Sequence, residues 1–345
     1  MLRILDANLN RIGEGLRLLE EISRFILDDP DLSRELKSMR HNLLPKDRQF
    51  QDRLLASRRA GIDVGAFLNI PEEGRRPDVK SLVSANARRV EESLRVLEEI
   101  SKVDNGIPGL DWEGIKRARF RIYELEQIII LKLTRRQRVE RISGLYLVLD
   151  LEALRGRDEI EAARQAIRGG ARVVQLRDKK RSVREQLQAA VVLRQVCEES
   201  GALFIVNDNL DIALASEAHG LHIGREDLPL PAARDLLPAD RLLGYSTSTL
   251  EEAMDAEKAG ADYIAVGSIY PSPSKAGTRI TGLDTLRKVK ERVSVPLVAI
   301  GGINEDNVPE VIRAGADASA VISAVLASDD IEGASRRIQA KFEVR

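Results

Sequence analysis

The chain has 345 residues, of which 43% are hydrophobic and 32% charged, a composition that excludes a disordered or collagen-like protein. Its 54 basic and 55 acidic residues nearly cancel, so bulk charge gives no reason to expect nucleic acid as a partner. The single cysteine, Cys197, excludes an internal disulfide and fits buried filler better than a nucleophile, and no apolar run reaches the ~18 residues that span a bilayer. These features predict a soluble cytoplasmic protein with neither a membrane nor a nucleic-acid partner, and they leave a homo-oligomer open.

The first part of the chain contains an internal repeat with the periodicity of a helix. The segment ANLNRIGEGLRLLEEIS at 7–23 matches ANARRVEESLRVLEEIS at 85–101. In both copies the apolar residues recur every three or four positions, which is typical of an amphipathic helix. We therefore predict two similar helices, with Asp6 and Ser84 as their N-caps.

The repeat retains polar residues that apolar packing does not explain. One interpretation is a retained duplication with hydrogen bonds between the helices. The other is a pseudo-symmetric polar site. The four polar pairs are Asn8/Asn86, Arg11/Arg89, Glu14/Glu92 and Arg17/Arg95.

The remainder of this region is predicted to be a loop followed by one more helix. The Gly- and Pro-rich stretch at 61–78 reads as a loop, with IDVGAFLNI at 62–70 as a candidate strand. A helix is expected at about 111–134, and the basic stretch at 132–141 suits a helix end and a linker. Residues 1–135 are thus predicted to form a mainly α-helical domain with an internal repeat.

From about residue 144 the pattern changes to short apolar runs that alternate with amphipathic stretches. Such alternation predicts an α/β fold with a parallel sheet, and eight units are enough to close a (β/α)8 TIM barrel over 136–345. An open doubly wound sheet is the competing fold, but no G-x-G-x-x-G follows the first strand. The eight predicted strands lie at 145–150, 173–177, 203–208, 220–224, 242–246, 263–268, 297–302 and 318–323.

Basic and hydroxyl side chains gather just after the predicted strands, at the end where a barrel builds its active site. Guanidinium and ammonium groups bind phosphate oxygens, and hydroxyl groups donate to them. The cations are Arg177, Lys179 and Lys275, and the hydroxyls are Ser246, Ser272 and Ser274.

Carboxylates and glycines occupy the same end of the predicted barrel. Asp208 and Asp227 offer the oxygen ligands that Mg²⁺ prefers. The glycine turn IGGI at 300–303 and the loop after the eighth strand offer backbone N–H groups to a phosphate. Two anion sites and a metal predict two phosphorylated substrates, one of them a diphosphate.

The segment from about 144 onward closely resembles thiamine-phosphate synthase, a TIM-barrel enzyme that joins a hydroxymethylpyrimidine diphosphate to a thiazole phosphate. Two differences from the family pattern are visible. Serines replace both threonines of its phosphate loop, which keeps the hydroxyls, and Arg225 stands where the family commonly has glutamine. The matching stretches are QLRDK at 175–179, ND at 207–208, HGLHIGRED at 219–227, PSPSK at 271–275 and IGGI at 300–303.

The resemblance implies a role for each of these residues. It implies a Mg²⁺-dependent dissociative substitution that yields thiamine phosphate and pyrophosphate, with Mg²⁺ held by Asp208 and Asp227. It makes Arg177, Lys179, Lys275 and Ser246 catalytic. The pyrimidine diphosphate would be bound by Gln175, Leu176, Arg177, Asp178, Lys179, Asn207, Ser246 and Lys275, and the thiazole phosphate by Ser272, Pro273, Ser274, Gly302, Ile322 and Ser323.

Three points stay open at the level of the sequence. A thiazole tautomerase and a non-catalytic sensor of thiamine precursors share the scaffold, although neither needs both a diphosphate and a metal site. His219 and His222 flank the fourth strand, and His222 reads equally well as a site wall or as a packed residue. The N-terminal region, with its opening LDANLNR, resembles a domain fused ahead of this synthase. The resemblance leaves two alternatives, a pyrimidine monophosphate kinase and a structural, oligomerising helical module. The region lacks the G-x-x-x-x-G-K-[ST] loop that would independently indicate a kinase.

Overall fold

The computed structural model describes residues 1–58, 76–103, 111–271 and 280–343, and the chain divides into two compact units, Met1–Thr134 and Arg135–Arg345. The candidate strand at 62–70 lies outside the described residues. So do Ser272, Pro273, Ser274 and Lys275 of the predicted phosphate loop. No helix in the described part of the chain is both long and apolar enough to cross a membrane.

The first unit is helical, as predicted. Its apolar stripes meet in one core, which includes Leu16 and Leu94 at equivalent positions of the repeat. Because each helix is apolar on one face only, the unit is stabilised by burial of these stripes against one another. The helices that the described residues form are α1 (Leu2–Phe25), α2 (Pro30–Leu43), α3 (Arg48–Ala56), α4 (Val79–Ile100) and α5 (Trp112–Val139).

Three predicted helix boundaries are wrong. Helix α1 begins at Leu2, so Asp6 lies inside it and pairs with Arg58 at 2.7 Å instead of capping. Helix α4 begins at Val79, so the predicted N-cap Ser84 lies inside it. The actual N-cap is Asp78, which accepts from the Ser81 N–H at 2.7 Å. Helix α5 continues to Val139, so most of the predicted linker at 132–141 is helical. In each case the helical periodicity extends beyond the most obvious capping or basic residue.

Helices α1 and α4 are in close contact at Gly15. A Cβ atom there would lie 2.6 Å from Val90 Cγ2 and 3.1 Å from the Asn86 carbonyl oxygen. At Gly13, two residues earlier in the same helix, a Cβ would lie 3.4 Å from Leu44 Cδ1, which is close to ordinary contact. The absence of a side chain is therefore required at Gly15 and not at Gly13.

We expect Gly15→Ala to destabilise the helical unit by about 1–2 kcal/mol, since overpacking outweighs the gain in helix propensity. Gly13→Ala is the matched control and should be neutral or stabilising by up to about 1 kcal/mol. Hydrogen exchange of the α1 and α4 amides in the full chain measures both changes locally. Equal protection in the two variants would contradict this account of the helix contact.

The second unit is a closed barrel of eight parallel strands in sequential order, which confirms the predicted TIM-barrel fold. The strands are β1 (Gly144–Asp150), β2 (Val173–Arg177), β3 (Leu203–Asn207), β4 (Gly220–Ile223), β5 (Leu242–Thr247), β6 (Tyr263–Gly267), β7 (Leu297–Ile300) and β8 (Ala318–Val321).

A longer helix follows each strand, and two four-residue helices, α6 (Leu151–Leu154) and α14 (Ser323–Leu326), precede the longer ones after β1 and β8. These short helices were not predicted, because four residues are too few to show a helical period. The longer helices are α7 (Glu159–Arg168), α8 (Val183–Glu199), α9 (Leu210–Ala215), α10 (Leu230–Leu236), α11 (Leu250–Lys258), α12 (Gly282–Lys290), α13 (Val308–Arg313) and α15 (Ile331–Glu343).

Strand β2 shows how the barrel sorts its side chains. Val174 and Leu176 pack in the outer core, between the sheet and the helices. Val173 belongs to the inner core of the barrel, and Gln175 and Arg177 line the cavity at its carboxyl end. Since successive residues of a strand point to opposite faces, the polar residues of this strand face the inside of the barrel.

Candidate active site

A cavity of about 450 Å³ lies at the carboxyl ends of the barrel strands. Its walls come from residues of all eight strands and of the loops after β6, β7 and β8, the location at which TIM barrels place their active sites. The structure therefore brings together seven of the residues predicted to bind substrate. They are Gln175, Arg177, Asn207, Ser246, Gly302, Ile322 and Ser323.

A chain of hydrogen bonds runs through the barrel beneath this cavity. His222 Nε2 lies 2.8 Å from Ser246 Oγ, and its Nδ1 lies 3.1 Å from the Tyr263 hydroxyl. The Tyr263 hydroxyl in turn lies 3.0 Å from that of Tyr146. His222 thus has features of both interpretations left open by the sequence: it lines the cavity, and it is a packed residue that holds Ser246 by a hydrogen bond.

Gly244 makes room for this chain. A Cβ atom at Gly244 would lie 2.1 Å from Tyr263 Cζ and 2.5 Å from His222 Nδ1. The rings of His222 and Tyr263 stack with their centroids 5.5 Å apart. A residue with any side chain at position 244 would occupy the space that these rings require.

One wall of the cavity carries the polar residues of β2 and β3. Gln175 Nε2 lies 3.4 Å from Asn207 Oδ1. Arg177 forms an ion pair with Asp150, a buried carboxylate at the end of β1 that also accepts from the Glu152 N–H at 3.0 Å. Asp150 thus positions Arg177, a role that the sequence did not reveal.

A pair of carboxylates lies beside this wall. The pKa of Asp208 is raised to about 6, first by burial and then by the nearby Asp227 carboxylate. Asp227 accepts from the Gly224 N–H at 2.7 Å, and Lys179 Nζ lies 4.0 Å from Asp208. Two carboxylates that repel each other at neutral pH form a site that a divalent cation would stabilise.

Arg225, the departure from the family pattern, faces away from the carboxylates. Its guanidinium forms an ion pair with Glu252 on α11. The positive charge that this residue adds is therefore balanced by its own partner rather than by Asp227.

Three residues of the QLRDK stretch are not on the cavity wall: Lys179, whose ammonium group lies beside Asp208, and Leu176 and Asp178. The Leu176 side chain packs in the outer core. The Asp178 carboxylate is buried and accepts from the backbone N–H groups of Lys180 and Arg181 at 2.9 and 3.1 Å. These two residues shape the loop after β2, and their direct contact with a substrate stays a prediction.

The other end of the cavity is formed by the loops after β7 and β8. Gly302 has a φ of 63°, and a Cβ there would lie 2.5 Å from the Pro271 carbonyl oxygen, so this turn requires glycine. Asn307 Nδ2 donates to the Gly302 carbonyl at 2.9 Å and fixes the turn. Ile322 and Ser323 stand at the start of α14, where the first backbone N–H groups have no partner within the helix.

Comparisons with known proteins give the family of the chain. A family model described as thiamine monophosphate synthase matches residues 145–325, and one described as the ThiD2 family matches residues 3–128. The thiamine-phosphate synthase of Synechocystis sp. is 42% identical over 325 residues, which cover 94% of this chain and 91% of the relative. The chain belongs to the thiamine-phosphate synthase family. It is a transferase of thiamine biosynthesis that acts on small-molecule substrates to make thiamine phosphate.

Two further relatives give the same family. The thiamine-phosphate synthase of Thermosynechococcus vestitus is 40% identical over 338 residues, which cover 97% of this chain and 93% of the relative. The solved structure of thiamine phosphate pyrophosphorylase from Pyrococcus furiosus is 40% identical, with a TM-score of 0.55, and covers 60% of this chain and 98% of that chain. Similarity to the thiamine-phosphate synthase family therefore extends over both units of the chain.

His219, the residue just before β4, has a structural role. It is buried, and its Nδ1 accepts from the Phe204 N–H at 2.9 Å. Burial, with nearby arginines such as Arg138, lowers the pKa of His219 to about 3, so the ring stays neutral in the folded chain.

We expect this neutral histidine to make the barrel acid-sensitive. In the unfolded chain His219 takes up a proton near pH 6.5, whereas the folded chain resists it, so stability falls as the pH drops below 6.5. The free energy of unfolding should fall by about 1.4 kcal/mol for each pH unit below 6.5. Urea unfolding at pH 7.0 and pH 5.5 should show this loss in the wild type and its absence in His219→Gln. A parallel pH dependence in the two proteins would contradict it.

Proposed function

We propose that the barrel joins a pyrimidine diphosphate to a thiazole phosphate, with the two anions bound at separate walls of the same cavity. The observation that supports this proposal most directly is the shared cavity, in which Gln175, Arg177 and Asn207 line one wall and Gly302 and Ser323 another. Basic and amide groups suit the diphosphate, and the N–H groups of the turn and helix suit a phosphate monoester.

The same proposal assigns Mg²⁺ to Asp208 and Asp227. Among the described residues no group of three or more His, Cys, Asp or Glu side chains suited to a metal ion is found, so the proposed site has two carboxylates. Magnesium is usually held by one or two carboxylates together with substrate phosphates, which fits a two-carboxylate site next to a diphosphate wall. When bound, Mg²⁺ supplies charge neutralisation to the diphosphate.

The side chains around the cavity favour a dissociative substitution. The bond between the pyrimidine methylene carbon and the diphosphate oxygen breaks, and its electron pair leaves with pyrophosphate. Arg177 and Lys179 bind the developing charge, and Ser246, oriented by His222, donates a hydrogen bond. The thiazole nitrogen then forms the new carbon–nitrogen bond with its lone pair, so the reaction needs no nucleophile from the protein.

A coupled assay on the purified full-length chain tests this function. It contains the pyrimidine diphosphate, the thiazole phosphate and Mg²⁺, and thiamine phosphate is measured with and without EDTA. Product that depends on the metal is expected. Binding of both ligands without product would favour a sensor or a thiazole tautomerase instead.

For the helical unit we propose the kinase function, in which pyrimidine monophosphate is phosphorylated to the diphosphate that the barrel uses. The observation that favours it is a polar cleft between the repeat helices, lined by both charged signs. The full-length chain should then make thiamine phosphate from the monophosphate, ATP, Mg²⁺ and thiazole phosphate. Activity from the diphosphate but none from the monophosphate would leave the structural, oligomerising role.

A further inference from the structure

The repeat helices α1 and α4 form the walls of a cleft of about 1160 Å³. Five of the repeated polar residues line it, and they come from three of the four matched pairs. They are Asn8, Arg11 and Glu14 from the first copy and Arg89 and Glu92 from the second. The fourth pair, Arg17 and Arg95, lies outside the cleft. Polar positions shared by the two copies of the repeat thus line one cleft.

The two asparagines of the repeat perform matching structural roles. Asn8 Nδ2 donates to the Ile4 carbonyl at 2.8 Å, and Asn86 Nδ2 donates to the Leu82 carbonyl at 2.9 Å. Asn86 Oδ1 lies 3.4 Å from Arg89 Nη1, so it orients that guanidinium. These bonds stay within each helix, so the two asparagines serve their own helices rather than a hydrogen bond between them.

The cleft gathers an excess of positive charge, because five basic and two acidic side chains line it. None of its basic side chains forms an ion pair with a described residue, whereas elsewhere in this unit Arg40, Arg119 and Arg121 pair with Glu20, Glu98 and Glu35 at 2.6–2.9 Å. Like charges gathered in one cleft repel one another, and a bound anion would relieve that repulsion. The five basic residues are Arg11, Arg76, Lys80, Arg88 and Arg89.

We propose that this cleft binds the phosphate group of a small phosphorylated molecule. Arginine provides the planar donors that match phosphate oxygens, and Ser81 and Ser84 add hydroxyl donors in the same cleft. Glu14 and Glu92 accept hydrogen bonds from amino or hydroxyl groups, so the ligand is a phosphate ester that also carries donors. A nucleotide and a phosphorylated aminopyrimidine both have this chemistry. The proposal rests on the kinase function proposed for the same cleft and deepens it by naming the binding residues and the ligand class. Because it requires binding and no phosphoryl transfer, its failure can be distinguished from failure of the kinase.

The test must distinguish this cleft from the phosphate sites of the barrel, so it uses a readout local to each arginine. The full-length chain is modified with phenylglyoxal in the presence of pyrophosphate, ATP or pyrimidine monophosphate, and the modified peptides are quantified by mass spectrometry. We expect at least one of these probes to slow modification of Arg11, Arg88 and Arg89 about fivefold or more, consistent with charge-assisted bonds to phosphate. Arg17, which is exposed and pairs with Glu21, is the internal control and should react at an unchanged rate.

A variant provides the second arm. The double variant Arg11→Gln/Arg89→Gln should bind the protecting probe about tenfold or more weakly. The loss of protection at Arg88 measures this change. The control variant Arg17→Gln should leave the protection of Arg88 unchanged. Both cleft arginines are exposed, and their replacement preserves the buried stripes of the helices. Unchanged reactivity of Arg11 and Arg89 with every probe at millimolar concentration would overturn the proposal, as would equal protection in the double variant and wild type. Protection without formation of the diphosphate would retain the cleft site and refute the kinase.

Discussion

Replacing Asp208 with asparagine should lower kcat by about a thousandfold, because it removes half of the carboxylate pair assigned to Mg²⁺. Asparagine keeps the size of the side chain and tolerates the left-handed backbone of this residue, whose φ is 64°. Thiazole phosphate binding should stay within about twofold of wild type, since its proposed site lies on the loops after β7 and β8. Steady-state kinetics and calorimetric titration with thiazole phosphate measure the two effects separately.

Two further variants make that result interpretable. Asp227→Asn should reproduce the loss of turnover, because the two carboxylates act as a pair. Arg225→Gln should retain activity within a few-fold, because that side chain pairs with Glu252 instead of the carboxylates. If the Asp208 and Asp227 variants lose thiazole phosphate binding as strongly as turnover, the proposed division of the cavity is wrong.

Gly244→Ala should damage the active site through the buried hydrogen-bond chain. The added Cβ would lie 2.1 Å from Tyr263 Cζ and 2.5 Å from His222 Nδ1, so both rings must shift. Overpacking of this kind costs about 1–3 kcal/mol of stability. Because His222 orients Ser246, we also expect kcat to fall about tenfold or more. Urea unfolding and kinetics with both substrates measure the two losses.

Gly224→Ala is the matched control, at the end of the neighbouring strand. A Cβ there would lie 3.5 Å from Asp227 Oδ2 and 3.9 Å from Ser246 Cβ, which are ordinary contacts. Its stability and kcat should stay near wild type. A Gly244→Ala protein with full activity would show that Ser246 keeps its position without the His222–Tyr263 pair.

The barrel was predictable because its signals are local. Each strand is a short apolar run, and each helix between strands has its own period, so the alternation is visible without knowledge of contacts. The polar residues at the strand ends were predictable for the same reason. Once the strands are parallel, their carboxyl ends lie on one side, and Gln175, Asn207 and Ser246 must face the same cavity.

Part of what the sequence missed concerns residues whose partner lies far along the chain. Asp6 is a residue type typical of N-caps, but it forms an ion pair with Arg58, and the helix begins four residues before Asp6. Asp150 precedes a helix, as a cap would, and also holds Arg177 from the next strand. Sequence patterns within one element do not contain this information.

The sequence alone determined the two-part organisation of helices and barrel, the strand order and the residues at the mouth of the barrel, because periodicity and chain order are properties of neighbouring residues. Only the tertiary structure decided that Tyr146, Tyr263 and His222 form one chain to Ser246, since barrel closure brings β1, β4, β5 and β6 together. It also decided that five residues from three of the four polar pairs of the repeat line one cleft. Both arrangements depend on the packing of elements that are distant in sequence, and that packing is set by burial of apolar faces rather than by the polar residues it brings together.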